Sequence, residues 1–137
     1  MTPQEKALYL HDKKGYNCAQ AVACVLCENM DISQTDVLRS CEGFGFGMGN
    51  AICTCGAVSG AVYAAGVKNS DGNLDGPMKK TDTYKLSKAI VEKFNEKNQT
   101  LVCSELKIST PDHTPVPCRK CIADAVSIGC EVLEISE

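Results

Sequence analysis

The sequence predicts an all-α fold, a single compact helical domain of five to six helices with a glycine-rich loop. Three observations carry that expectation. No segment longer than a few residues alternates polar and apolar with period two, so strands are not indicated. Several segments open on a helix-capping residue and continue with apolar residues three and four apart. Thr83 to Lys97 is the clearest amphipathic helix, with Leu86, Ile90 and Phe94 on one stripe and Lys85, Lys88, Glu92, Lys93 and Glu96 facing water.

Taken in order, Thr2-Pro3-Gln4-Glu5 opens a first helix through about Lys13, with Thr2 as cap and Gly15 as stop. Asn17 caps a second, Cys18 to Asn29, with Gln20 placed to complete a capping box. Cys18, Ala21, Val22 and Val25 share its inward face, which puts Cys24 and Cys27 on the far side. Ser33-x-x-Asp36 reads as the capping box of a third helix ending near Cys41. Glycine then recurs at Gly43, Gly45, Gly47 and Gly49, ahead of Cys53-Thr54-Cys55. Thr54 is the expected cap of a small-residue helix, Ala57 to Val67, in which Gly56, Gly60 and Ala64 form a flat strip. That strip suits close internal packing, and it is also one candidate contact for a homodimer. Leu101 to Leu106 reads as a single turn. Ser109 to Pro117 holds three prolines and reads as a loop, after which Pro117 opens a last helix carrying Cys118 and Cys121.

At 137 residues the chain reads as one domain, 1–137, and a domain near that size buries roughly 68–70% of its unfolded surface. It has no need of disulfides to hold a core. The formal net charge of −3 and the lack of a basic stripe argue against nucleic acid. The N-terminal MTPQEKALYLHDKK lacks an apolar signal region, and no apolar run of ~18 residues suggests membrane insertion. A cytoplasmic location is expected.

Ten cysteines are the outlier. Without an export signal, that usage points to metal binding or thiol chemistry, with about half of the cysteines acting as small buried hydrophobes. Cys18 and Cys55 each fall in the first turn of an expected helix, where the positive end of the dipole favours thiolate. Two C-x-x-C pairs exist, Cys24/Cys27 and Cys118/Cys121. The first lies mid-helix, where backbone cannot wrap a zinc ion as a knuckle does. The second has a helix after it but no strand before it, unlike a thioredoxin-type motif, although Arg119 and Lys120 would lower its thiol pKa values. No C-x-x-C-H occurs, so covalent haem has no support.

Gly15-Tyr16-Asn17-Cys18-Ala19, the glycine-rich loop, Cys55-Gly56-Ala57-Val58-Ser59-Gly60, Cys103-Ser104-Glu105-Leu106 and Cys121-Ile122-Ala123-Asp124-Ala125-Val126 follow one another in the order of a known pattern. The chain resembles, over nearly its whole length, the redox-active proteins named for C_GCAxxG_C_C. The resemblance implies a site of four cysteines, Cys18, Cys55, Cys103 and Cys121. It is also similar to a module of split-Soret cytochromes in which cysteines hold an iron–sulfur cluster, though that cytochrome's haem sites have no counterpart here. Cys53 and Cys118 stand close enough in sequence to replace a matched cysteine in a disulfide or as ligands. If the helix starts face one another, the four thiols can cycle between dithiol and disulfide or hold a cluster. Four converging thiols exceed what one dithiol needs, which favours an iron–sulfur cluster or another thiolate-bound metal. An electron-transfer protein or oxidoreductase with a redox partner protein is therefore expected. The alternatives are a non-catalytic zinc-binding or metal-responsive protein on the same residues, and a helical interaction module whose cysteines are merely buried.

Three weaker signals remain. The spaced glycines fail G-x-G-x-x-G at every offset, so a dinucleotide loop is rejected. Asp71 to Asp82 matches a calcium loop formally, but Asp82 replaces the usual glutamate and Lys79 takes a ligand-side position, so a polar turn is preferred. His11 and His113 lie in no motif and read as solvent-exposed bystanders.

Overall fold

The computed structural model describes residues 1–137 as seven α-helices: α1 (Pro3–Lys14), α2 (Cys18–Leu26), α3 (Gln34–Cys41), α4 (Gly56–Asn69), α5 (Thr81–Asn98), α6 (Cys103–Leu106) and α7 (Cys118–Leu133). The only strand-like pairings are two isolated antiparallel bridges, Thr54 with Val102 and Thr110 with His113. The count exceeds the expected five to six because the short Cys103–Leu106 turn closes as a helix of its own. No helix is long and apolar enough to cross a membrane.

Local chemistry sets the first three helix starts. Thr2 accepts a hydrogen bond from the Glu5 N–H while Glu5 accepts one from Thr2. Asn17 and Gln20 repeat that reciprocal arrangement at α2. Ser33 caps α3 by accepting from the Asp36 N–H, but only this half of the expected box forms. Gln20 has a second task, donating to the Leu38 carbonyl of α3 at 3.0 Å.

α2 is the central helix, packed by α1, α3, α4 and α7. Every residue from Ala19 to Leu26 is buried. This corrects the two-faced reading of α2: Cys24 is 2% exposed and Cys27 0%. A helix enclosed by four others has no water-facing side, whatever its periodicity. It ends at Leu26, short of Asn29, because Cys27 starts a turn in which its carbonyl accepts from the Met30 N–H.

α4 lies directly on α2. A Cβ at Gly60 would stand 2.5 Å from the Ala19 carbonyl oxygen, so only glycine allows the two backbones to meet there. The strip of Gly56, Gly60 and Ala64 is thus internal packing and is not available as a dimer face. The expected Thr54 cap is also corrected. Thr54 is held in its bridge to Val102, and Cys55 occupies the N-cap position.

The glycine-rich stretch is wound instead of open, with a 3-10 turn at Glu42–Phe44 and a π-type turn at Gly47–Ala51. Phe46, Met48 and Ala51 take left-handed backbone conformations that side chains resist. Gly47 presses on the start of α6, where a Cβ would fall 2.6 Å from the Cys103 Cβ.

α5 packs on α4 and α7 and buries Ile90 and Phe94, and α7 buries Ile122, Val126 and Leu133. Each such side chain contributes ~1.5–3 kcal/mol by leaving water. Between α5 and α7, buried Asp124 accepts from Lys120 at 2.6 Å and Asn98 at 3.3 Å, and pairs with Lys97 at 3.1 Å.

Candidate functional site

Five sulfurs meet where four helices begin. Cys18 is the first residue of α2, Cys55 the cap of α4, Cys103 the first residue of α6, and Cys118 and Cys121 lie in the first turn of α7. Short hydrogen bonds fix these starts to one another. The Cys55 N–H donates to the Leu101 carbonyl at 2.7 Å, and the Cys103 N–H donates to the Cys53 carbonyl at 2.9 Å. The Asn17 side chain donates to the Glu42 carbonyl at 2.9 Å, tying the α2 start to the glycine-rich stretch.

The sulfurs are paired. Cys18 acts on Cys118, and Cys55 on Cys121. Lys107, the residue after α6, hydrogen-bonds Cys118, and its charge acts on all five sulfurs. Within each pair one member is the thiolate and the other the donor. Cys55 is drawn down to about 7 by the Cys121 thiol, by the Ala57 and Val58 N–H groups of the α4 start, and by Lys107, against the cost of burial. Cys118 is drawn down to about 5 by the Cys18 thiol and then by Lys107, with His11 adding a smaller pull. Donation to a neighbouring thiolate, together with burial, pushes Cys18 and Cys121 up. Burial also raises Cys103, which Lys107 opposes. Lys107 itself is held above its ordinary value: burial works against its charge, but Cys118, Cys121 and Cys103 outweigh it.

Cys18, Cys55, Cys103 and Cys121 therefore all lie within reach of one ammonium, but they are not bonded as a closed quartet. Cys18 takes its partner from outside the four, in Cys118. Sequence reasoning identified Cys118 as a possible substitute, whereas in the fold it stands beside the four as a fifth thiol. It missed Lys107 altogether; the available signal was a cation four residues after Cys103, one helical turn away.

The remaining cysteines divide cleanly. Cys24, Cys27 and Cys41 form a second, buried group between α2 and α3, where desolvation pushes them to about 11, 12 and 12. Burial likewise raises Cys130. Cys53 alone is exposed.

Thiols are the donors that iron–sulfur clusters and zinc take, yet no three His, Cys, Asp or Glu side chains converge as a set that could hold a metal ion. As arranged, the five sulfurs fit paired thiol chemistry and do not form a ready ligand set. In the Asp71 to Asp82 loop the Asp71 carboxylate accepts from the Asn73 and Lys79 N–H groups, as in a polar turn. The histidines are half-buried and hydrogen-bonded, which corrects their reading as solvent-exposed. His11 Nδ1 donates to the Tyr16 carbonyl at 2.8 Å, and His113 contacts Gln99 Oε1 at 2.7 Å. The main surface concavity, about 690 Å³, lies elsewhere, against Val25, Met30 and Ile135.

Compared with known proteins, residues 16–132 match the family model described as "Putative redox-active protein (C_GCAxxG_C_C)". No curated protein and no solved structure matches the chain.

Proposed function

Since the chain belongs to the C_GCAxxG_C_C redox-active protein family, we propose that it passes electrons by thiol–disulfide exchange at two dithiols, Cys55 with Cys121 and Cys18 with Cys118. The observation that carries this reading is the grouping of these cysteines at the starts of α2, α4 and α7, with Cys55 acting on Cys121 and Cys18 on Cys118 beside a single ammonium. Each pair is already a thiolate next to a thiol, the state from which exchange starts. With an external disulfide R–S–S–R, the thiolate attacks one sulfur, forms a mixed disulfide and expels R–S⁻. The partner thiol then attacks the bonded cysteine sulfur, closes the intramolecular disulfide and leaves R–SH. Two electrons pass to the R–S groups, and R–S⁻ takes its proton from water. Ten free thiols suit a reducing compartment such as the cytoplasm, with a disulfide-bearing redox partner.

The competing reading is an iron–sulfur cluster on Cys18, Cys55, Cys103 and Cys121, favoured by the number of sulfurs grouped around Lys107. One preparation separates them. Purification without oxygen, assays of iron, sulfide and zinc, and peptide mapping across a glutathione redox series are required. Exchange predicts metal-free protein that loses four thiols to Cys55–Cys121 and Cys18–Cys118. Brown protein with iron and sulfide selects the cluster, and zinc alone selects a non-catalytic metal-binding role. Metal-free protein that keeps every thiol leaves a helical interaction module.

A further inference from the structure

Exchange at the inner pair is limited by access. Cys55 is 3% exposed and Cys121 0%, so an external disulfide has no direct route to either. Cys18 and Cys118 are half-buried, and only Cys53 is exposed. The backbone at the Thr54–Val102 bridge connects that exposed thiol to the buried ones. The two flanking hydrogen bonds, Cys103 N–H to Cys53 and Cys55 N–H to Leu101, set an antiparallel register in which Cys53 and Cys103 face each other. A full pair at such a position has Cα atoms roughly 5.5 Å apart. That separation lies inside the roughly 4.4–6.8 Å window a disulfide tolerates. Here one of the pair's two bonds forms, and the Cys53 N–H donates to the Gly47 carbonyl instead. Two residues beyond Cys53 the chain reaches Cys55, whose sulfur is within electrostatic reach of Cys103. Exposed Cys53, buried Cys103 and the Cys55–Cys121 pair thus stand in sequence from solvent to interior.

We propose that Cys53 and Cys103 form a solvent-facing disulfide couple that relays oxidation from an external disulfide to the Cys55–Cys121 pair. This inference rests on the exchange reading and supplies its entry route. Cys53 thiolate attacks R–S–S–R, forming Cys53–S–S–R and releasing one R–S⁻. Cys103 attacks the Cys53 sulfur, forming Cys53–Cys103 and releasing the second R–S group as thiol. Cys55 then attacks Cys103 and frees Cys53 as thiol. Cys121 finally attacks Cys55 and frees Cys103. The net change is two cysteine thiols converted to one disulfide and R–S–S–R reduced to two thiols, with no other oxidant needed. The Cys18–Cys118 pair is not used in this route, although its sulfurs also lie within electrostatic reach of Cys55, Cys103 and Cys121, and its oxidation is followed alongside as a comparison.

The test uses the full chain, reduced and then exposed to oxidised glutathione as probe, with timed acid quenching and peptide mapping. In wild type, glutathione on Cys53 precedes Cys53–Cys103, which precedes Cys55–Cys121. In Cys53→Ser, at an exposed position, Cys55–Cys121 forms at least about tenfold more slowly while Cys18–Cys118 forms at the wild-type rate. Cys103→Ser, or Cys103→Ala should the first misfold, accumulates the Cys53–glutathione adduct. Equal rates of Cys55–Cys121 formation in wild type and Cys53→Ser overturn the relay and leave the exchange reading standing. Wild type that never forms Cys55–Cys121 at any glutathione ratio overturns the exchange reading. In that event a Cys53–Cys103 bond in the same map upholds the couple, and its absence overturns the couple too.

Discussion

Lys107 donates to Cys118 and places its charge on four further sulfurs, so its removal withdraws thiolate support from the whole cluster at once. In Lys107→Met the Cys118 alkylation midpoint should move from about 5 toward the ordinary thiol value of 9.0, read by peptide-resolved iodoacetamide labelling across pH. A midpoint that stays put would mean the Cys18 thiol alone holds the thiolate. The two pairs also titrate apart. At pH 6 Cys118 is chiefly thiolate and Cys55 chiefly thiol, since their values are about 5 and about 7. Cys118 should therefore be labelled first, and Cys55 should gain on it as pH rises through neutrality. Cys121→Ala should push the Cys55 midpoint up from about 7, because the Cys121 hydrogen bond is the largest single support of that thiolate. Of this charge pattern the sequence indicated the lowered Cys55, but Cys18, expected as a thiolate, is pushed up. It is the Cys18 thiol and Lys107, in place of Arg119 and Lys120, that lower Cys118. The first-turn position of Cys18 could be read from its Asn17 cap, whereas Cys55 is itself the cap of α4, and the partner of each sulfur depends on which helix starts fold together.

At the scale of helices, α2 and α4 meet through backbone, and α5 and α7 meet through a charged knot. Gly60→Ala puts a methyl group against the Ala19 carbonyl and should cost ~1–3 kcal/mol in chemical denaturation, the usual penalty of overpacking. Asp124 tests the other contact. Burial disfavours its charge, but Lys120, Lys97 and Asn98 hold its folded pKa below the ordinary 3.8. Its contribution to stability is therefore complete above that ordinary value and is lost as pH falls through the lowered one. Asp124→Ala should destabilise the protein by about 1–3 kcal/mol at pH 7, with Lys97 and Lys120 half-exposed and so able to rehydrate. The deficit should shrink in melts at pH values well below 3.8, as the wild-type carboxylate also protonates. The caps of α1, α2 and α3 were legible in the sequence because each is a bond between residues three apart. The burial of Cys24 and Cys27 was not, because periodicity describes one helix and says nothing of how many neighbours enclose it. Thr54 misled for a related reason: a good capping residue was taken up by a bridge to Val102, 48 positions away.

For the molecule as a whole, the ten thiols should fall into kinetic classes under a disulfide reagent in native buffer. Cys53 reacts first and Cys118 follows, whereas Cys24, Cys27, Cys41 and Cys130 react only after denaturant opens the core. Fast native labelling of Cys24, Cys27 or Cys41 would contradict the enclosure of α2 by its neighbours. The grouping of Cys18, Cys55, Cys103 and Cys121 was what the C_GCAxxG_C_C resemblance implied, and the all-α class was legible from caps and apolar spacing without any strand period. Lys107 was not, since a single cation carries no motif. Cys18 and Cys118 are separated by 100 positions, and linking residues that far apart removes roughly 4.7 kcal/mol of freedom from a denatured chain. If Cys18 and Cys118 form the proposed disulfide couple, then by thermodynamic reciprocity a fold that already holds the two ends together displaces that couple by the same free energy, about 100 mV toward the reducing side. The native protein is on this account a stronger reductant than its own unravelled polypeptide, and melting it would discharge that difference.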